Sequence, residues 1–342
     1  MKIATVFLLF GLLGFSSCVQ NTLKETSFES DMQDSILTIL IKKERLILKP
    51  KLFLEDIKIK KGLLYNQHTL EDVYPYKDTT RVFQWDKIQK RLFYLDSIQL
   101  ESATWGILQN YKNRNGEAPL VKNFVRNIYN RVADTLGVER YQSVPLYFIN
   151  DSLVAERYGR DGSLVKVINN IDSSNFVQIE NCNFEGEWLV PKKYIKILSD
   201  TVVFRKAIFV DRINQNISTL EKVDSIWFVR SMNPATTGIR RPPYAQVTPV
   251  GLFVIQERKP KMIFLKDGSD ETGGFAPWAS RFTNGAYLHG IPVNVPRTEP
   301  IEFSWSLGTT PKSHMCVRNA TSHSKFIYDW ASVDSSVVFI FD

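Results

Sequence analysis

The sequence is poor in cysteine and histidine, and its interior holds no long hydrophobic run. Three cysteines, Cys18, Cys182 and Cys316, and four histidines occur in 342 residues. So few cysteines exclude a fold held by several disulfides and allow at most one pair, Cys182 with Cys316, if Cys18 is used otherwise. Beyond the N-terminus no stretch reaches the about 20 apolar residues that a membrane-spanning helix needs. Internal repeats and low-complexity tracts are also lacking.

The N-terminus has the pattern of a secretory signal peptide. Lys2 is followed by an uncharged, largely apolar stretch from Ile3 to Phe15, and two serines precede Cys18. A buried first helix is the alternative, but no polar residue gives this run a solvent-facing side. Small residues directly before a cysteine resemble the lipobox of bacterial lipoproteins, in which the cysteine becomes the lipidated first residue. We expect a signal peptide at 1–17 and a lipidated Cys18 with a tether at 18–30; plain secretion is the alternative.

The charge balance is only mildly basic. Without Lys2 of the signal peptide, 42 basic and 36 acidic residues leave a net charge of +6. This excess suits an anionic polymer or a membrane surface, and together with secretion it argues against nucleic-acid binding. Because 44% of the residues are apolar and 23% are charged, a packed core is expected. The length of the mature chain predicts two or three domains.

The first part of the mature chain, over 31–140, is predicted to be helical. Apolar residues recur at helical spacing at about 32–47, at about Phe83–Leu100 and at Pro119–Leu136. The last stretch has proline in its first turn and Gly137 as a stop. Its apolar stripe consists of Val121, Phe124, Val125, Ile128, Val132 and Leu136. We expect each stripe to face an ordinary core.

From about Pro145 the apolar period changes to two, which predicts short strands. Runs at 146–149, 164–168 and 176–179 are separated by turn-forming residues. Together with a Trp…Val-Pro…Tyr-Ile run that ends at Ile195, the region 145–200 resembles a bacterial SH3-like β barrel. Binding of the wall or of a peptide and a passive spacer are both open as its role.

Strand signals continue from about residue 204 to the end of the chain. Prolines and glycines divide them into short pieces typical of a sandwich or open barrel. A helix is predicted at about Thr321–Ser332 and a strand at Ser336–Phe341. The predicted fold class is therefore α+β, with a mostly-β C-terminal domain at 204–342.

The reactive residue types concentrate near the C-terminus. His289, His314 and His323 lie within 35 residues of one another, with Cys316 between them. A thiol with a pKa of about 8.5 is little ionised at neutral pH, so an enzyme that uses it needs a base or a local positive potential. Histidine supplies the base, Arg318 adds a fixed cation, and the positive end of the following helix points back at the sulfur. The pattern favours a cysteine nucleophile over a disulfide-bonded cysteine.

Around these residues the order of short motifs resembles the L,D-transpeptidase (YkuD-type) catalytic domain. The signature is a His-Gly step at His289, a Leu-Gly step at Leu307 and Ser-His-x-Cys-x-Arg over Ser313–Arg318. Three upstream segments follow the family's order: a strand at Ile208–Asp211 with Gln215, a strand and turn over Ser231–Gly238, and a Thr-Pro-x-Gly-x-Phe segment over Thr248–Ile255. The resemblance covers about 204–342 and implies a sandwich or open barrel there, preceded by the helical region and the SH3-like module.

The resemblance also implies a role for each matching residue. Cys316 would attack the carbonyl of the third residue of a wall tetrapeptide stem, release D-alanine and form a thioester. His289, oriented by the backbone carbonyl of Gly290, would take the thiol proton and later activate an acceptor amine. Backbone amides around Met315 and Cys316 would hold the oxyanion. The oxyanion site and substrate pocket would be formed by Ser313, His314, Met315 and Arg318.

Two features depart from the family pattern. Met315 stands where glycine is usual; a positive φ there would cost about 1–2 kcal/mol, whereas in an ordinary conformation its side chain would shape the pocket. The stretch from His289 to Cys316 is longer than in most members, and we expect it to form a loop over the site. Neither departure removes a reacting group.

Other residues of the same types are assigned structural roles. His314 has a hydrogen-bonded structural histidine as its alternative, His323 is expected at the surface or at a cap, and His68 has no role. Cys182 is expected to be a buried small residue. A basic set is interpreted as a solvated charged face, with contact to anionic stem peptides as the alternative. This set consists of Arg240, Arg241, Arg258, Lys259 and Lys261.

The predicted function is that of a peptidoglycan L,D-transpeptidase without a cofactor or metal, anchored to a membrane by its lipid and facing the periplasm and cell wall. Its partners would be peptidoglycan stem peptides; nucleic acid is not expected, and the oligomeric state is open. A carboxypeptidase or crosslink hydrolase with the same site is one rival. A zinc site is another, although the spacings of the candidate ligands fit no common zinc pattern. A catalytically dead wall-binding lipoprotein, marked by Met315, is the third. The candidate zinc ligands are His289, His314, Cys316 and His323.

Overall fold

The computed structural model describes residues 51–170 and 173–342. Within it, Leu52–Asp342 form one compact unit that is mostly β. The predicted signal peptide, lipidated Cys18, tether and helix at about 32–47 lie outside the described residues. In the part of the chain that is described, no helix is both long enough and apolar enough to cross a membrane.

The described residues form two α-helices, three larger sheets and three strand pairs. The helices are α1 (Trp85–Ile98) and α2 (Thr321–Trp330). The strand pairs are β2 (Val73–Tyr76) with β3 (Thr79–Val82), β5 (Val125–Arg126) with β6 (Val132–Ala133), and β7 (Ser143–Leu146) with β8 (Arg157–Arg160). The six-stranded sheet has the order β1 (Lys58–Lys61), β15 (Ile226–Pro234), β14 (Asn216–Val223), β13 (Lys206–Asp211), β22 (Ser336–Phe341) and β16 (Gly251–Val254).

The six-stranded sheet is buried on both faces around β13 and β22, and these two strands are almost continuously apolar. In β13 the side chains alternate between two cores, with Phe209 in one and Ile208 in the other. The C-terminal strand β22 pairs with β13 in parallel, and Phe339 lies opposite Phe209 with the ring centroids 5.1 Å apart. Burying one such side chain stabilises the fold by about 1.5–3 kcal/mol. The strand predicted at Ser336–Phe341 thus lies inside the sheet, between β13 and β16.

Helix α1 covers one face of this sheet. Ile88, Leu92 and Leu95 recur at helical spacing and are buried in the same core as Phe209. The helix predicted at about Phe83–Leu100 therefore forms over Trp85–Ile98. Its periodicity indicated the reason, because the apolar stripe of the helix is buried against the sheet.

The helix predicted at Pro119–Leu136 is wrong. This stretch is made of turns and the short strands β5 and β6. The side-chain oxygen of Asn127 accepts from the amides of residues 129 and 131, and that of Asp134 accepts from the amides of residues 136 and 138. Such local bonds compete with helical hydrogen bonding. Gly137, with φ of +80°, closes one of these turns instead of ending a helix.

A five-stranded sheet contains the strands predicted at 164–168 and 176–179. Its order is β11 (Glu187–Pro191), β10 (Phe176–Asn181), β9 (Leu164–Asn169), β4 (Thr104–Leu108) and β12 (Ile195–Ile197). Strand β4 comes from the region predicted to be helical. The described part of 31–140 holds one α-helix among six strands, so the prediction of a helical region is wrong there. The SH3-like barrel over 145–200 stays a prediction.

The third sheet carries the candidate site. Its strands are β17 (Glu257–Leu265), β18 (Thr272–Thr283), β19 (Ala286–His289) and β21 (Val317–Arg318), and β20 (Val293–Asn294) pairs with β18. One face of this sheet packs on the second core of the six-stranded sheet through Phe282, Leu288 and Val317, together with Ile327 of α2. This packing fixes β19 and β21, so the alternate side chains on their other face have defined positions.

Candidate active site

The parallel pairing of β19 with β21 brings the predicted base and nucleophile to one face. Leu288 lies opposite Val317, and both side chains enter the core, while His289 lies opposite Arg318. Because side chains alternate along a strand, His289 and Arg318 share the outer face. Cys316, two residues before Arg318, belongs to that face as well. Two segments far apart in sequence are thus joined at the site.

These side chains line a cleft of about 470 Å³. Apolar walls come from the β17–β18 hairpin, with Met262 and Phe264, and from the loop after β19, with Pro292 and Val295. The loop expected between His289 and Cys316 therefore contributes a wall. An apolar cleft with a few convergent polar groups is the usual form of a ligand site.

His289 is held as a neutral base. Its side chain is 3% exposed, and Nδ1 lies 2.6 Å from the carbonyl oxygen of Gly290. Because a carbonyl oxygen only accepts, Nδ1 carries the hydrogen and Nε2 keeps a free lone pair. Burial lowers the pKa of His289 to about 4, against the opposing effect of the Gly290 carbonyl. The imidazole is therefore neutral at pH 7 and can accept a proton at Nε2.

Cys316 is a free thiol that lines the same cleft as His289. Its Sγ lies 3.6 Å from the carbonyl oxygen of Gly285, to which it donates. Burial raises the pKa of the Cys316 thiol, and the backbone of Tyr287 and the charge of Arg318 offset this in part. Thiol and imidazole are thus both neutral at pH 7, an arrangement suited to proton removal during attack. Both described cysteines are free, so the Cys182–Cys316 disulfide does not form.

Met315 has a φ of +106°, in the region that favours glycine. The alternative of an ordinary conformation is therefore wrong. A Cβ on Gly238 would lie 2.7 Å from the Cα of Met315, so the two backbones approach closely. The Thr248 hydroxyl donates to the Met315 carbonyl at 2.7 Å and accepts from the Gly238 amide at 2.8 Å. The Met315 side chain packs on the second core and is not among the residues that line the catalytic cleft.

Three other predicted pocket residues do line the cleft. Ser313 is buried, and its hydroxyl donates to the carbonyl of Cys316. The buried Nε of Arg318 has no hydrogen-bond partner among the described residues. His314 is partly exposed, and its Nε2 lies 3.4 Å from a carboxylate oxygen of Asp267 at the tip of the β17–β18 hairpin. Ser313 thus supports the nucleophile loop, whereas the other two face the cleft.

The remaining candidates lie away from the cleft. His323 is fully buried in α2, with Nε2 2.9 Å from the Ser231 hydroxyl, so the expected surface or capping position is wrong. His68 lies 3.1 Å from Glu302. Cys182 keeps some exposure but packs against the first core, and burial raises the pKa of its thiol to about 12, as expected for a structural cysteine. Across the described residues, no three His, Cys, Asp or Glu side chains are grouped to hold a metal ion.

Sequence reasoning missed three residues that contact the reacting segment. Gly285 presents its carbonyl to the thiol, Tyr287 contributes its backbone, and Thr248 fixes the Met315 carbonyl. Thr248 could have been found, since it begins the Thr-Pro-x-Gly-x-Phe segment noted in the sequence. Gly285 and Tyr287 act through their backbones, which no side-chain pattern indicates.

Comparison with known proteins gives one family. Residues 205–340 match the YkuD family, described as the L,D-transpeptidase catalytic domain. No curated protein matches the chain.

The likeness to solved structures is remote. An L,D-transpeptidase from Mycobacterium smegmatis is 15% identical, with a TM-score of 0.32, over 53% of this chain and 91% of that one. L,D-transpeptidase 3 from Mycobacterium tuberculosis, bound to a faropenem-derived adduct, is 15% identical, with a TM-score of 0.33, over 54% and 93%. A fused Zn-dependent amidase/peptidase/peptidoglycan-binding domain protein from Clostridium acetobutylicum is 17% identical, with a TM-score of 0.30, over 41% of this chain and about half (53%) of that one. The range of the family match, 205–340, contains His289, Gly290 and Cys316.

Proposed function

We propose that this protein is a peptidoglycan L,D-transpeptidase with Cys316 as nucleophile and His289 as base. The observation that carries the proposal is the pairing of β19 with β21, which sets a neutral imidazole with a free Nε2 on the same face as a neutral thiol. The family match over 205–340 supports the reaction class.

In the first half-reaction, Nε2 of His289 takes the thiol proton while the sulfur of Cys316 attacks the carbonyl carbon of the third residue of a tetrapeptide stem. The bond between that carbon and the nitrogen of D-alanine then breaks, and the imidazolium returns the proton to the leaving amine. The products are free D-alanine and a thioester on Cys316.

In the second half-reaction, an acceptor amine gives a proton to His289 and attacks the thioester carbonyl. The carbon–sulfur bond breaks, and the proton passes to the sulfur, which restores the thiol. Negative charge develops on the carbonyl oxygen in both steps. In the described part of the chain, the amides of Met315 and Cys316 donate no hydrogen bond, so they are free to stabilise that oxyanion.

The other cleft residues fit supporting roles. Arg318, with a buried and unpaired Nε, offers a cation to a substrate carboxylate. His314 and Asp267 both line the cleft with their side chains 3.4 Å apart, so a bound peptide would meet them as a pair. Ser313 fixes the backbone of the nucleophile loop.

The cellular setting is part of the same proposal. The N-terminal pattern of an apolar stretch followed by Cys18 supports export, lipidation of Cys18 and a membrane-anchored protein that faces the periplasm and cell wall. Mass spectrometry of Cys18 in membrane fractions tests this point: an unmodified N-terminus ahead of Cys18 would contradict lipidation.

Incubation of the soluble protein, begun after Cys18, with a tetrapeptide-stem muropeptide tests the function. We expect release of D-alanine and, with an amine acceptor, crosslinked dimers seen by mass spectrometry. Release of D-alanine with tripeptide as the sole product would indicate a carboxypeptidase, because water then takes the place of the amine. Labelling with a carbapenem should acylate Cys316 in the wild type and leave Cys316→Ala unlabelled. A wild type that gives neither label nor D-alanine would contradict the proposal.

A further inference from the structure

A second cleft, of about 540 Å³, adjoins the segment that carries the nucleophile. Met315, next to Cys316, lines it, and so does Asn284, next to the Gly285 carbonyl that contacts the thiol. One wall comes from residues 126–160, which lie outside the family match, and the other comes from residues 212–250. The cleft is therefore formed jointly by the catalytic domain and the preceding part of the chain.

Hydrogen bonds hold the two walls together. The Tyr129 hydroxyl donates to the Ala245 carbonyl at 2.7 Å, and the Gln246 side chain donates to Glu139 at 3.0 Å. These two bonds join the walls across the cleft.

The cleft has an excess of unpaired positive charge. Arg126, Arg160 and Arg240 line it, and among the described residues none of them has a carboxylate within ion-pair distance. The other charges are already compensated. Arg212 pairs with Asp342 at 2.6 Å, and Glu139 pairs with Arg131 at 3.2 Å. Asp134 and Glu139 act on Arg160 from beyond ion-pair distance and offset part of its charge. Arginines without an ion-pair partner in a partly desolvated cleft favour an anion with two oxygens.

The rest of the lining favours a peptide over a bare anion. Apolar side chains and side-chain amides stand beside the arginines, as a peptide backbone with side chains requires. The apolar lining is Ile128, Val247, Pro249, Val250 and Met315, and the amides are Asn127, Gln246 and Asn284.

We propose that this cleft binds a carboxylate of a stem peptide through Arg160 and Arg240, beside the catalytic cleft. The proposal rests on the proposed function, since a stem peptide is the substrate of that reaction. Within the basic set noted in the sequence analysis, the proposal gives a binding role to Arg240, which lines this cleft. The neighbouring Arg241 does not line it.

Equilibrium binding tests the proposal in a Cys316→Ala background, in which no thioester can form. The probes are a synthetic stem tetrapeptide with free carboxylates and the same peptide with every carboxyl amidated. We expect the free peptide to bind about tenfold more tightly than the amidated one. Arg160→Gln and Arg240→Gln should each remove most of this preference and leave binding of the amidated peptide unchanged. The matched control, Arg241→Gln, makes the same charge change one residue away and should keep the preference.

Two outcomes would overturn the proposal. One is an unchanged preference for the free peptide in the Arg160→Gln and Arg240→Gln proteins. The other is displacement of the peptide by inorganic phosphate at an equal concentration, which would identify a phosphate site.

Because Arg240 is exposed, its variant is expected to fold, and thermal unfolding checks this. Carbapenem labelling of Cys316 in the same variants with the thiol restored reports on the catalytic cleft separately. If the wild type is not labelled, the proposed function is contradicted. The comparison of free and amidated peptide still tests the binding cleft in that case.

Discussion

The regions around His289 and His323 contain the same residue type under similar burial but differ in what the ring nitrogens do. Both side chains are buried, and burial lowers the pKa of His289 to about 4 and that of His323 to about 3. At His323 both nitrogens have partners, Ser231 and Asn319. At His289 Nδ1 is bonded to the Gly290 carbonyl, and Nε2 has no partner among the described residues.

The comparison shows that burial and a lowered pKa do not by themselves identify a catalytic histidine. A reactive site also needs a free lone pair and a cavity that admits substrate. His289 lines the cleft that contains Cys316, whereas His323 lines neither this cleft nor the second one. Substitution of each histidine should therefore affect a different property of the protein.

The largest expected effect is on the reaction rate. His289→Gln keeps an amide that can donate to the Gly290 carbonyl but removes the proposed base, so acylation of Cys316 by a carbapenem should slow by about 10²–10⁴-fold. Stopped-flow measurement of acylation checks this, with Cys316→Ala as the unreactive control. A His289→Gln protein that acylates at the wild-type rate would show that this imidazole is not the base.

His323→Ala should reduce stability and leave the chemistry intact. The change empties a fully buried position and removes one partner of Ser231, at a cost of about 1–3 kcal/mol in the free energy of unfolding. Urea unfolding measures this loss, and carbapenem acylation of the folded fraction should keep its wild-type rate. A large loss of acylation without unfolding would remove the contrast between the two histidines.

The pH dependence follows from both lowered pKa values. The unfolded chain takes up protons at these histidines below about pH 6.5, whereas the folded chain does so only near pH 4 and 3. Stability contributed by the neutral rings is therefore full above about pH 6.5 and falls as the pH drops towards 4, by about 1.4 kcal/mol per pH unit for each histidine. Urea unfolding at several pH values checks the slope, which should be shallower in His323→Ala. An identical slope in the variant would contradict the assignment.

The smallest effect is expected at Met315. Glycine adopts the positive φ of this position without strain, whereas alanine is strained there. Both substitutions remove the packing of the methionine side chain on the core. Met315→Gly should thus be more stable than Met315→Ala by about 1 kcal/mol, with acylation rates within a few-fold of the wild type. Equal stability of the two variants would show that the backbone here carries no strain.

Local patterns predicted the elements whose stability comes from one apolar stripe or one apolar run. The helix α1, the C-terminal helix and the strand β22 form where periodicity indicated. The Pro119–Leu136 helix failed although its stripe was the most regular, because Asn127 and Asp134 hold their own turns through side-chain oxygens. A stripe predicts a helix only if no nearby polar side chain offers the backbone a competing partner.

The amino-acid sequence by itself determined which residue types were available for chemistry: a thiol, an imidazole with the following Gly290 carbonyl, and an arginine, in an order that matches one family. The tertiary structure decided which histidine shares a cleft with the thiol, which one is buried in the core, and which arginines lack an ion-pair partner in the second cleft. The physical reason is that burial, pKa and lone-pair availability depend on what distant segments place around a side chain. Those contacts are set by the register of β19 with β21 and by packing between sheets, neither of which is encoded within a short stretch of sequence.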